Sequence, residues 1–390
     1  MTVDRDKGVT APAGFRAAGV AAGIKPTGAL DLALVVNDGP NDAAAGVFTT
    51  NKVKAAPVLW SQQVLTGRRL RAVVLNSGGA NACTGPEGFQ DTHATAEHVA
   101  KVLGRGAIEV AVCSTGLIGE RLPMPKVLRG VDTAAAALSD DAGLQAATAV
   151  LTTDSRAKQS WKAHAQGWSI GGFAKGAGML APNLATMLSV LTTDADIDGE
   201  TLRRALRDAT RRTFDRLDVD GGTSTNDTVL VLASGASGIK PTAEEFTALL
   251  TEVSADLVKQ LQGDAEGVTK EIAITVRGAV SEDDAVVVGR IVAEDNLVKT
   301  ALFGSDPNWG RIAMALGRAP VELDPDQLSI VINGVRVMDK GTRGEDRENA
   351  DLSGRDITVV IELGLGDGEA TILTTDLSHA YVEENSAYSS

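Results

Sequence analysis

Lys175 lies among four glycines in Gly171–Leu188, GGFAKGAGMLAPNLATML, and the same stretch ends in the pair Ala185-Thr186. A glycine-flanked ammonium sits close to backbone amides, so it can grip an anion such as a carboxylate. Ala181-Pro182-Asn183 makes a turn, and Thr186 follows it behind a small residue. A hydroxyl so placed can reach the carbonyl of Ala185, where an N-to-O acyl shift cuts the chain and frees the α-amine of Thr186. An unperturbed α-amine titrates at about 7.7–8.0, near working pH, and can serve as base for its own hydroxyl. On spacing alone, a structural threonine beside a turn is by far the commoner reading.

Other chemistry finds little support. The chain has no HExxH helix, no CxxC pair, no GxxxxGK[ST] loop and no GxSxG elbow. His93 and His98 are five residues apart, which misses the four-residue spacing that shares a helical face, and His164 and His379 stand alone. All four read as surface or structural histidines. Cys113 ends a strand before a glycine loop, a fair place for a nucleophile. Without a basic neighbour to lower its pKa, it reads as a buried structural thiol. Cys83 and Cys113 are too few for a disulfide framework.

The elements that position these residues alternate. Leu70–Leu75 reads as a strand, followed by the loop Asn76–Gly85 and a helix over Phe89–Leu103. Ala107–Cys113 is the next strand and runs into a loop, Ser114–Gly119, with an alanine-rich helix over Val131–Ser139 beyond. Glu200–Thr213 and Thr242–Gln262 are helical. The second carries Phe246, Leu249, Leu250, Val253, Leu257, Val258 and Leu261 in one stripe, and Thr242 with Glu245 fits a capping box at its start. Thr228–Ala233, Glu271–Val276, Val286–Ala293, Leu328–Ile332 and Ile357–Leu363 read as strands. The pattern is layered α/β. Its 390 residues suggest two or three packed units at roughly 150 residues each, and an acidic SEDD run near residues 277–284 marks a weak boundary.

With 37 basic and 51 acidic residues the net charge is −14. No basic stripe offsets it, so nucleic-acid binding is not expected. No apolar run approaches the roughly 20 residues of a membrane span. The charged start, Met1 to Gly8, lacks the apolar core of a signal peptide, so a cytoplasmic protein is expected.

KGAGMLAPNLATML closely resembles the self-processing motif of the ornithine acetyltransferases, also called bifunctional glutamate N-acetyltransferases, of arginine biosynthesis. Gly23–Val35, Ala44–Val58, Asn76–Gly85 (NSGGANACTG), Ser114–Gly119 (STGLIG), Asp220–Thr228 (DGGTSTNDT), Leu297–Ile312 and the tail Asp376–Ser390 resemble family segments in the same order. Gly79 stands where an asparagine is expected, Ala177 where a serine is common, and Ser390 where threonine is usual.

The resemblance implies an α/β/β/α-type sandwich core over residues 1–279, like that of self-processing aminopeptidases. It also implies a smaller α+β domain over 280–390 whose tail returns to the active site. Thr186 becomes the self-cleavage residue and nucleophile, with the cut after Ala185 giving chains 1–185 and 186–390. Thr115 and Gly116 become the oxyanion donors. Substrate contacts fall at Thr152, Lys175, Thr186, Glu266, Asn385 and Ser390, with Lys175 matched to a carboxylate and Glu266 to an ammonium. Taken singly, these last read as a solvated lysine, a glutamate in a helix-end turn and a frayed tail. Asn226 and Asp227 resemble a polar cluster near the family's active site without a firm role. The implied partners are N2-acetyl-L-ornithine, L-glutamate and L-ornithine, with acetyl-CoA a second donor in bifunctional members, no cofactor, and an assembly of two α and two β chains. Two other readings fit the same features: a self-processing aminopeptidase or amidase that passes the acyl group to water, and an amino-acid-binding protein without chemistry.

Overall fold

Runs such as LALVVN and TVLVLA are apolar on both faces, as strands covered on both sides must be. The computed structural model describes residues 3–180 and 187–387, so Ala185, Thr186 and Ser390 lie outside the described residues. Two compact units form, one from the residues up to Asp215 with Thr223–Leu261, the other from Arg216–Gly222 with the residues from Gln262 on.

The first unit holds β1 (Phe15–Val20), β2 (Leu32–Asn37), β3 (Ala44–Phe48), β4 (Ala72–Gly79), β5 (Val110–Leu117), β6 (Lys158–Ala163), β7 (Ser169–Lys175), β8 (Leu188–Thr193) and β9 (Thr228–Ala233). They make a four-stranded sheet, β1-β2-β4-β5, and a five-stranded sheet, β3-β9-β8-β7-β6. Helices α1 (Ala56–Val64), α2 (Gly85–Leu103), α3 (Met124–Ala136) and α4 (Gly143–Ala149) share one apolar core with both sheets. Further helices are α5 (Gly199–Arg212) and α6 (Ala243–Gly263). The stripe expected on α6 is buried throughout, and Phe246 stacks on Trp168 at 5.7 Å. Its capping box is formed: Thr242 Oγ1 accepts from the Glu245 amide, and Glu245 Oε2 accepts from the Thr242 amide. The layered α/β architecture expected from the alternation is present.

The second unit contains β10 (Glu271–Ala279), α7 (Glu282–Ala293), α8 (Asn296–Phe303), α9 (Trp309–Leu316), β11 (Ser329–Ile332), β12 (Val335–Asp339), β13 (Thr342–Arg343), β14 (Asp356–Glu362), β15 (Gly368–Thr375) and α10 (His379–Ala387). Its six-stranded sheet runs β13-β12-β11-β14-β10-β15.

Three expectations need correction. Val286–Ala293 is not a strand but the end of α7. Ser281 caps that helix by accepting from the Asp284 amide, and the acidic SEDD run is its first turn, favoured by the helix dipole. Ala285, Val288, Val292 and Ala293 bury a helical face, and Gly289 lies so close to β15 that a Cβ there would come within 2.6 Å of Ile372. The boundary also moves, because β10 hydrogen-bonds to β14 and β15 and so belongs with residues that follow it, not with a core ending at 279. Finally, β4 and β5 continue to Gly79 and Leu117, through segments read as loops from Asn76 and Ser114, and residues 107–109 form a short 3₁₀ turn before β5.

Candidate active site

The end of the parallel β4–β5 pair carries a register shift in which Gly79 faces both Thr115 and Leu117. Gly116 has φ +128°, and a Cβ on it would lie 2.5 Å from the Gly79 nitrogen. Only glycine fits there, which explains why an apparently loop-forming sequence continues as a bulged strand. Neighbouring polar groups pin the bulge. Ser114 Oγ donates to Asn76 Oδ1 at 2.6 Å, and Asn226 Nδ2 donates to the carbonyls of Ser114 and Ala80 at 2.8 and 2.6 Å.

The wholly buried Thr115 side chain meets Lys175. Lys175 ends β7, is 1% exposed, and donates from Nζ to Thr115 Oγ1 at 3.2 Å and to Thr152 Oγ1 at 2.9 Å. The Thr115 hydroxyl accepts from the ammonium and so keeps its own proton for a further acceptor. Because β7 pairs antiparallel with β8 and places Lys175 opposite Leu188, the chain returns beside this lysine two residues after Thr186. Asp227 is wholly buried there and accepts the Met187 amide at 3.0 Å. Burial, above all, pushes its carboxyl well above the usual range, against hydrogen bonds from Met187 and Ser224 and the Lys175 charge.

Two further charged groups, which sequence reading missed, complete the cluster. Asp154 Oδ1 accepts from Lys158 Nζ and from the Gly176 amide, each at 2.6 Å, and its Oδ2 lies 3.8 Å from Lys175 Nζ. Burial opposes its ionisation, but Lys175, Lys158 and the Gly176 amide prevail and hold its carboxyl down at about 2. The Asp154–Lys158 spacing of four residues was a weak signal, since it reads as an ordinary surface pair unless burial is known.

Of the substrate contacts expected from the resemblance, the structure therefore joins Thr152 and Lys175 with the expected oxyanion residue Thr115. In the second unit it joins two others: Asn385 Nδ2, on α10, donates to Glu266 Oε2 at 2.9 Å. Thr186, Ala185 and Ser390 lie outside the described residues. The bland readings of other groups hold. Burial pushes the Cys113 thiol up to about 12, His98 pairs with Asp132 at 2.7 Å, and His164 stacks on Trp168. Among the described residues no set of histidine, cysteine, aspartate or glutamate side chains could hold a metal ion.

Comparison with known proteins places the chain in a family. A model described as the ArgJ family matches residues 16–390. The chain is 62% identical over 393 residues to the arginine biosynthesis bifunctional protein ArgJ of Mycobacterium tuberculosis (strain ATCC 25618 / H37Rv), an alignment covering 99% of this chain and 97% of that protein. It is 59% identical over 382 residues to the protein of the same name from Streptomyces coelicolor, covering 98% and 100% respectively. A solved chain of ornithine acetyltransferase complexed with ornithine, from M. tuberculosis, is 66% identical where it aligns, over 47% of this chain and 99% of its own, with a TM-score of 0.47. On the family match and these full-length identities, the chain belongs to the ArgJ family.

Proposed function

We propose that this chain is an acyltransferase of arginine biosynthesis, a glutamate N-acetyltransferase that carries acetyl from N2-acetyl-L-ornithine to L-glutamate on Thr186. The observation that carries the reading is the convergence of Thr115, Thr152 and Lys175, from three separate segments, on one buried ammonium. The full-length identity to proteins named for arginine biosynthesis supports it.

In the proposed cycle the Thr186 hydroxyl first takes the Ala185 acyl group from its own nitrogen, and water hydrolyses the resulting ester, leaving chains 1–185 and 186–390. The α-amine of Thr186 takes the proton of its own hydroxyl as Oγ bonds to the acetyl carbonyl carbon. The carbonyl electron pair moves onto oxygen, where the Thr115 hydroxyl and a Gly116 backbone N–H stabilise it. On collapse the C–N bond breaks, the ammonium returns the proton to the departing α-amine, and ornithine leaves an acetyl-Thr186 ester. L-Glutamate then attacks the ester through its α-amine, the ester C–O bond breaks as the Thr186 amine passes the nitrogen's proton to Oγ, and N-acetyl-L-glutamate departs from the restored hydroxyl. Lys175 and Thr152 hold the α-carboxylate common to both substrates, and Glu266, Asn385 and Ser390 complete the contacts. Acetyl-CoA serves as a second donor, the working assembly has two α and two β chains, and the cytoplasm is its compartment.

Because the donor leaves before the acceptor binds, initial rates with both substrates varied should give parallel double-reciprocal lines. Intersecting lines would remove the acetyl-enzyme step, and release of acetate at the same rate without glutamate would make the protein a hydrolase.

A further inference from the structure

We infer that Asp154 is the positioning residue of the carboxylate grip, fixing the place and charge of Lys175 and the place of Thr152, while Lys25 steadies the same peptide from behind. The inference rests on the reading above, in which Lys175 and Thr152 hold the substrate.

The geometry divides the labour between the two carboxylate oxygens. Oδ1 takes Lys158 Nζ and the Gly176 amide, which anchors Asp154 to β6 and to the residue after β7. Oδ2 takes the Thr152 amide at 3.1 Å and faces Lys175 Nζ at 3.8 Å. The side chains of Asp154 and Lys158 are 0% exposed and that of Lys175 is 1% exposed, so water screens these charges little. The amide of Thr152 and the carbonyl of Leu151 are two ends of one planar peptide unit. Lys25 Nζ donates to that carbonyl at 2.7 Å, and to the Leu30 carbonyl at 3.1 Å. The peptide that carries Thr152 is thus gripped at its N–H end by an anion and at its C=O end by a cation. Asp31 Oδ2 holds the backbone amide of Lys25 at 2.9 Å, which fixes the far end of the chain of contacts.

Among the described residues, the charged groups placed against Lys175 include the carboxyls of Asp154 and Asp227 and, beyond Asp154, the ammoniums of Lys158 and Lys25. Burial raises the Asp227 carboxyl well above its usual range, so Asp154 is the more readily ionised of the two carboxyls. Its charge, 3.8 Å from the Lys175 ammonium, favours the protonated form of that lysine.

The test is the pH dependence of kcat/KM for N2-acetyl-L-ornithine. This profile has an acid limb, set by the Thr186 amine, and an alkaline limb, set by loss of the Lys175 proton. Asp154→Asn should move the alkaline limb down by about 1–3 pH units, leave the acid limb in place, and raise KM at least tenfold more than it lowers kcat. Should the buried Lys158 prevent that variant from folding, Asp154→Asn combined with Lys158→Met removes the buried positive charge that Asp154 had balanced and carries the same expectation. Lys25→Met should raise KM severalfold without moving the alkaline limb. Equal losses at every pH with both limbs unmoved, or a Lys25→Met enzyme with unchanged KM, would overturn the inference. A wild-type protein unable to use N2-acetyl-L-ornithine would instead overturn the functional reading on which it rests.

Discussion

Thr186→Ala should leave one uncut chain of 390 residues and depress acetyl transfer on the order of 10⁴-fold or more, as removal of a covalent nucleophile does elsewhere. Two separate events need the same oxygen. The acyl shift that cuts the chain needs the side-chain hydroxyl of Thr186 to displace its own backbone nitrogen, and the acetyl ester needs that hydroxyl again. Alanine supplies neither, so the loss of cutting and the loss of transfer should appear together. Thr186→Ser keeps the hydroxyl and, once cut, the free α-amine, so it should process itself and retain turnover at a reduced rate. A denaturing gel and initial rates on the three proteins decide the matter. An alanine variant that swaps acetyl groups at a wild-type rate contradicts the proposed chemistry.

Thr115→Val should lower kcat/KM for N2-acetyl-L-ornithine by about 10²–10³-fold, equivalent to about 2.7–4 kcal/mol for the loss of one oxyanion donor. The change is close in shape, and the site is wholly buried in strand β5. Its hydroxyl accepts from Lys175 and makes no donated hydrogen bond among the described residues. The role of donor to a developing oxyanion uses that remaining proton. Lys175 also loses one of its acceptors, so a modest drop in melting temperature is expected alongside. If kcat/KM falls less than fivefold while the protein melts earlier, Thr115 is a structural partner of Lys175 and not an oxyanion donor.

Much of the fold was legible because local chemistry and global packing agree. Thr228–Ala233 is a strand with the bounds its valines and leucines indicate, and α6 carries both its apolar stripe and its capping box. The errors arose where tertiary context decides between equal local signals. Val286 to Val288 are β-branched and suggest a strand, yet Ser281, three acidic residues in the first turn and burial at three- and four-residue spacing make a helix. Asn76–Gly79 and Ser114–Leu117 look like glycine loops because the strand-to-strand approach that requires Gly116 is a contact between residues far apart in sequence.

The candidate site shows the same division. Lys175 could be nominated from its glycine-rich context, and Thr115, Glu266 and Asn385 from the resemblance. Asp154 could not, because an aspartate four residues before a lysine carries no sign of burial. Its importance lies in enclosure: the side chains of Asp154 and Lys158 are both 0% exposed. Lys25 escaped for a related reason, since its partners are backbone carbonyls that no side-chain pattern reveals.

The most direct measurement is the intact mass of the purified protein before and after brief exposure to N2-acetyl-L-ornithine without glutamate. The account predicts two polypeptides that meet between Ala185 and Thr186, and a gain of about 42 Da, one acetyl group in a covalent intermediate, on the N-terminal residue of the chain that begins at Thr186. Adding glutamate should return that chain to its original mass. A single intact polypeptide that nevertheless transfers acetyl, or a cut protein that transfers acetyl without ever carrying it, would contradict the account.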